Sequence, residues 1–209
     1  MIKRNEIVVK SKFGKTISSM LLSHEEGSRN LAVLFPGGDN STDVPTLHYA
    51  RKAALLAGCD TISLEYGSTD TEKEEILKIV IDESLDVLSQ INYEQYAQLF
   101  FISKSMGHFV SFNVHKRLNR STIRHICYTP LTKNVDDIAK RECIVFTGTK
   151  DKFITKESIA LLIDLPNIDL TVVEEAVHSL EINDDYKASI RILGEVTDKC
   201  ADYIIKHTL

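Results

Sequence analysis

The sequence predicts an α/β fold: a three-layer, doubly wound and mostly parallel sheet with an antiparallel hairpin at its N-terminal edge. Three observations predict it. From position 31 onward, short continuous apolar runs alternate with longer stretches whose apolar residues recur at helical spacing, the order that produces parallel strands joined by crossover helices. Loops carrying glycine, proline or aspartate follow several of the apolar runs. Before position 31 lie two strand-like segments separated only by a tight polar turn.

The segments 6–10 and 16–22 flank Lys12-Phe-Gly-Lys15 and predict the hairpin. The run 31–35, Leu-Ala-Val-Leu-Phe, has the unbroken apolar character of a strand buried on both faces. It ends in Pro36-Gly-Gly-Asp-Asn40, and Pro45 opens a helix to about position 57. A strand at 61–65 follows. Positions 72–88 then carry Leu77, Ile81, Leu85 and Leu88 on one helical face, with acidic residues early where they suit the helix dipole. The strand 98–103 leads into a helix over 106–118, with Phe109, Val110, Phe112 and Val114 available for burial. Strands at 125–128, 142–147 and 170–173 and helices at 156–165 and 185–207 complete the order. In the last helix Tyr186, Ile190, Leu193, Cys200 and Ile204 are expected to pack on the sheet. No linker rich in Pro, Gly or Ser divides the chain and no internal repeat appears, so one domain over 1–209 is expected.

Composition narrows the function. The chain has 209 residues, enough to bury a substantial core, and 43% of them are hydrophobic, which argues against disorder. A net charge of −5 without a long basic cluster disfavours a nucleic-acid surface. No apolar stretch approaches the roughly 18 residues of a membrane span, and no apolar core follows the charged N-terminus, so a cytoplasmic protein without a membrane partner is expected. Cys59, Cys127, Cys143 and Cys200 show no C-x-x-C pairing and read as reduced core thiols. The histidines show no ligand spacing, so no metal and no cofactor is expected. The oligomeric state is not legible.

The chemistry concentrates at Ser105. Leu99-Phe-Phe-Ile-Ser-Lys-Ser105-Met-Gly107 is an apolar strand ending in small-x-Ser-x-Gly, the pattern of a sharp strand-to-helix turn that exposes a strained hydroxyl. By itself it is equally well an ordinary helix N-cap. A serine becomes a nucleophile only beside a base, and that base needs a carboxylate to fix its tautomer. Asp151 lies in the loop directly after the strand 142–147, and His178 lies beyond the strand 170–173. All three candidates fall at one edge of the predicted sheet, in the order Ser, Asp, His. Alone, Asp151 reads as a turn residue and His178 as a surface histidine; together they are far more specific. Oxyanion donors are expected from the backbone N–H of Met106 and from the glycine loop at Gly38, with Asp39 as its neighbour. His108 is expected to be packed or at the pocket edge. Lys104 should diverge from the serine, which disfavours a Ser-Lys pair.

These motifs resemble those of the small α/β-hydrolases of the serine-hydrolase superfamily. The resemblance runs from about position 31 to the C-terminus and is carried by Phe-Pro-Gly-Gly38, Ser103-Lys-Ser-Met-Gly-His, Gly148-Thr-Lys-Asp and Val177-His-Ser-Leu-Glu. Two departures are visible: Ser103 stands where the first glycine of the elbow is commoner, and Pro36 where many members have histidine. The resemblance implies hydrolysis of a small carboxylic ester or thioester through a Ser105–His178–Asp151 triad and an acyl-enzyme. Amide, lactone or C–C hydrolysis and acyl transfer would use the same residues, and a non-catalytic binding module on this scaffold is the rival from another class. Only positions 129–141 are available for a lid, too few for a full cap. An open, shallow site is therefore expected, bordered by Gly37, Asp39, Tyr66, Tyr128 and Phe153, for a small-molecule acyl substrate that is small or polar.

Overall fold

The computed structural model describes residues 1–208; Leu209 lies outside the described residues. Eight strands form one sheet. β1 (Ile2–Lys10) and β2 (Thr16–His24) make the predicted hairpin, which extends beyond the apolar pattern at its open end by residues 2–5 and 23–24. β3 (Asn30–Phe35), helix α1 (Pro45–Leu56), β4 (Asp60–Ser63) and helix α2 (Glu74–Gln90) follow. After them come β5 (Gln98–Lys104), α3 (Gly107–Leu118), β6 (Ile123–Tyr128), the single turn α4 (Val135–Ile138) and β7 (Cys143–Gly148). The chain closes with α5 (Lys156–Ile163), β8 (Ile168–Val173) and α6 (Tyr186–His207). The strand order is β1-β2-β4-β3-β5-β6-β7-β8; β2 pairs antiparallel to β4, and every pairing from β4 to β8 is parallel.

Side-chain alternation along the central strands builds two cores. Leu31, Val33 and Phe35 of β3 and Leu99 and Phe101 of β5 face α2 and α3, whereas Ala32, Leu34, Phe100 and Ile102 face α1 and α6. On the first face a further cluster beneath β6 and β7 joins Phe112 of α3, Ile138 of α4 and Leu162 of α5 to Cys127 and Val145. The sheet is thus the middle of three layers, and strands buried on both faces are why the apolar runs are unbroken. The exceptions are the hairpin strands β1 and β2 and the edge strand β8, whose residues are mostly half-buried or exposed.

The inward face of α6 differs from the sequence expectation. Ile192, Val196, Cys200, Tyr203 and Ile204 are its buried hydrophobic positions past Ala188, while Tyr186 and Ile190 are 71% and 63% exposed. Only Cys200 and Ile204 of the predicted set turn to the sheet. Asp185 sets the start of this helix by accepting from the Ala188 N–H at 2.9 Å. All four cysteines are free and buried, and burial pushes the Cys59 and Cys200 thiols up to about 12. No helix among the described residues is long and apolar enough to cross a membrane.

From β3 the chain crosses to β4 on one side, then returns past β3 to β5 on the other. Strand order reverses there, and the carboxyl ends of β3 and β5 splay their following loops apart into a crevice. One loop is Pro36–Asn40; the other holds Ser105.

Candidate active site

β5 ends at Lys104 and α3 begins at Gly107, so two residues must reverse the chain. Ser105 does so with φ 51°, left-handed and strained for a residue with a side chain. Gly107 makes the turn possible. A Cβ there would lie 2.5 Å from the carbonyl oxygens of Phe35 and Pro36, so only glycine lets α3 start against the end of β3. Ser103, fully buried, is the small residue on the other side. The Ser105 carbonyl is held twice, by the His108 N–H at 3.2 Å and by His108 Nδ1 at 2.5 Å. His108 is therefore a core residue beneath the elbow, and burial pushes its imidazole down to about 4.

Across the crevice, β7 and β8 deliver the other two side chains. Asp151 follows β7 in a turn closed by its own N–H on the Gly148 carbonyl (3.2 Å), and its Oδ1 accepts from the Phe153 N–H at 2.9 Å. Its carboxylate is wholly buried. Oδ2 accepts from His178 Nδ1 at 2.7 Å, which leaves Nε2 unprotonated to accept from Ser105 Oγ at 2.9 Å. The structure thus brings Ser105, His178 and Asp151 into one hydrogen-bonded chain. Phe153 lies edge-on against the His178 ring, with centroids 4.7 Å apart, and is half exposed.

The glycine loop packs directly on the serine. A Cβ on Gly37 would be 3.5 Å from Ser105 Cβ, and one on Gly38 3.5 Å from Met106 Sδ. Among the described residues, the N–H groups of Gly38 and Met106 have no acceptor within the protein. Asn40 locks the loop by exchanging two side-chain hydrogen bonds with the backbone of Tyr66, at 2.9 and 3.0 Å.

The predicted border needs correction at two positions. Tyr66 and Tyr128 are 2% and 0% exposed: Tyr66 belongs to the core under α2, and Tyr128 stacks on Phe146 on the opposite face. Each sits at or just past a strand end, but its ring points into a layer rather than along the crevice. Of the predicted border, Asp39 lines the cleft that is present, a hollow of about 700 Å³ beginning at Lys104 and Ser179, chain neighbours of Ser105 and His178. Its walls are the N-terminal turn of α1 and the segment from Leu180 into α6. They include Val44, Ile182 and Leu193, so the site offers more apolar surface than the short lid region suggests. Sequence reasoning missed this wall because Ile190 and Leu193 have the same spacing as residues that face a sheet. The one legible signal was the apolar pair Leu180 and Ile182 directly after the histidine.

No protein-family model matches the sequence, and no curated protein matches it. Solved structures do. A serine hydrolase without a lid from Xanthomonas campestris superposes with a TM-score of 0.70 at 14% identity, covering 96% of this chain and 95% of that one. The Pyrococcus furiosus esterase Pf2001 gives 0.73 at 11% identity, with 99% and 93% covered. Est1E from Butyrivibrio proteoclasticus gives 0.70 at 12%, with 97% and 98% covered. The chain has the α/β-hydrolase fold. Within this hydrolase fold, the segment between β6 and β7 amounts to a 3-10 turn at Thr132–Asn134 and the four-residue α4, so nothing resembling a cap domain is inserted there.

Proposed function

We propose that the protein is a serine hydrolase that cleaves a carboxylic ester or thioester through an acyl-enzyme. The observation that carries this reading is the hydrogen-bonded sequence Ser105 Oγ, His178 and Asp151, with the serine held at a left-handed φ. His178 Nε2 takes the Oγ proton as Oγ bonds to the acyl carbon. The carbonyl oxygen becomes an oxyanion and accepts from the free N–H groups of Met106 and Gly38, each contributing about 3 kcal/mol to the transition state. Asp151 holds the imidazolium in place. The same proton then passes to the leaving oxygen or sulfur as its bond to the acyl carbon breaks. Water, deprotonated by His178, attacks the acyl-serine, releasing the acid and restoring the Ser105 hydroxyl.

A fluorophosphonate probe with p-nitrophenyl butyrate as substrate tests the assignment. Wild type labels and turns over, whereas Ser105→Ala does not label and loses at least about 10⁴-fold in kcat. Equal labelling of the two proteins would remove Ser105 as the nucleophile.

A further inference from the structure

One cation in the cleft is left without a counter-ion. Lys104, the last residue of β5, lines the hollow beside Ser105. Among the described residues its Nζ has no carboxylate within 4.0 Å, and its one polar contact is the His178 carbonyl at a long 3.5 Å. Desolvation outweighs the attraction of Asp39, Asp151 and Glu181 and holds this ammonium below the ordinary lysine range. Lys104 is half-buried, and an ammonium partly withdrawn from water with one long hydrogen bond and no counter-ion is costly; an apolar side chain could end the strand without that cost.

The carboxylates around the cleft do not cancel it. Glu181 is exposed and accepts from Ser179 Oγ at 2.7 Å, while Asp185 is spent on the first turn of α6. Asp39 and Asp184, which also line the cleft, are exposed as well. Charges in water at such positions are screened and contribute little, whereas a desolvated charge keeps its field. Beyond Lys104 the walls are mixed: Val44, Leu180, Ile182, Ile190 and Leu193 are available to a hydrocarbon body, between polar positions such as Thr46, Asn183 and Ser189. A volume of about 700 Å³ is in the range of small-molecule sites.

We propose that Lys104 is the specificity residue of this cleft, and that the substrate is an ester or thioester carrying a carboxylate a few atoms from the scissile carbonyl, with an apolar body along the α1–α6 wall. The substrate class rests on the hydrolase reading; the anion site can be tested apart from it. Monohexyl succinate and its neutral counterpart hexyl methyl succinate are titrated by NMR into Ser105→Ala, which removes turnover. The monoester binds at least about tenfold tighter, a difference of roughly 1.4 kcal/mol. That preference disappears in Ser105→Ala/Lys104→Met and persists in Ser105→Ala/Lys104→Arg. Should the methionine variant melt early, Lys104→Gln takes its place. Equal affinities in Ser105→Ala, no binding of either ester, or a preference that survives loss of the charge overturns the proposal. If wild type fails to label with fluorophosphonate while Ser105→Ala still prefers the monoester, the hydrolase reading falls and the anion site stands.

Discussion

The two shoulders of the crevice are built differently. The elbow shoulder, where β5 turns into α3, is anchored by burial: Ser103 and His108 are fully enclosed, and Gly107 presses against the end of β3, while Lys104 and Met106 are half-buried. The opposite shoulder, after β7 and β8, is largely exposed from Glu174 to Asp185. Backbone bonds hold it: Thr149 N–H to the Val173 carbonyl, Lys150 N–H to the Ala176 carbonyl and Val177 N–H to the Glu181 carbonyl, all between 2.9 and 3.0 Å. Three of its residues, Glu175, Leu180 and Asp184, have positive φ. Burial fixes the serine; hydrogen bonds aim the histidine. Lesions on the first shoulder should therefore cost stability, and lesions on the second should cost activity at nearly unchanged stability.

The sharpest test is Asp151→Asn. The amide keeps the shape of the side chain but presents a donor or a weaker acceptor to His178 Nδ1, favouring the tautomer that cannot take the serine proton. Turnover of p-nitrophenyl esters should fall by about 10⁴-fold, with fluorophosphonate labelling slowed in parallel. Because Oδ1 still accepts from the Phe153 N–H, the thermal midpoint should shift by only a few degrees. A large drop in midpoint with little kinetic loss would mean that this shoulder, too, is held by burial.

The elbow shoulder should respond to acid instead. His125 is fully buried, and its Nε2 meets His115 Nδ1 at 2.7 Å. Desolvation pushes His125 well below the ordinary histidine range and lowers His115; His108 is down to about 4. Well above pH 6.5 these rings are neutral folded or unfolded and add no pH dependence. Below it the unfolded chain takes up protons that the folded chain refuses, so stability falls as pH drops toward 4. For His108 alone the loss by pH 4 is on the order of 3 kcal/mol. Urea unfolding at pH 7, 5.5 and 4.5 measures it. His108→Asn, which can still donate toward the Ser105 carbonyl, should flatten the slope; an unchanged slope would place the acid sensitivity elsewhere.

The same contrast explains what the sequence made legible. Enclosure leaves a trace in composition: unbroken apolar runs marked β3, β5 and β7, and small residues on either side of Ser105 marked the turn. Asp151 and His178 were legible because a loop directly after a parallel strand has one place to go. The cleft wall was not. Its residues, Leu180 to Leu193, are placed by the path of a largely exposed loop, and the inward face of α6 runs through Ile192, Val196 and Tyr203 rather than through Tyr186 and Ile190. Tyr66 and Tyr128 failed for a related reason: pleat alternation turns the Tyr128 ring into a layer at the end of β6, and the loop after β4 folds Tyr66 into the core.

Gly148 offers the finest test of the contrast, because it belongs to the activity shoulder yet is fully buried. A Cβ at this position would fall far inside contact distance of the Ala176 carbonyl, two residues before His178, and would also meet the Ala176 side chain. Backbone cannot fold away as the end of a flexible side chain can, so in Gly148→Ala the segment carrying His178 must shift outward. Ala176 itself is buried, but Glu174, Glu175 and Ser179 of that segment face water, so the shift disrupts little packing beyond Ala176 and moves the imidazole relative to Ser105. A displacement near 1 Å costs about 10² in rate, so kcat should fall by about that factor while KM for p-nitrophenyl butyrate changes little. Gly107→Ala poses the matched problem on the other shoulder, where the Phe35 carbonyl at the end of β3 and the Pro36 carbonyl directly after it belong to buried residues with little room to retreat. It should lower the thermal midpoint more than Gly148→Ala does. If the two variants lose stability equally, the loop that aims His178 is as firmly enclosed as the elbow, and the division between a buried anchor and a hydrogen-bonded arm does not hold.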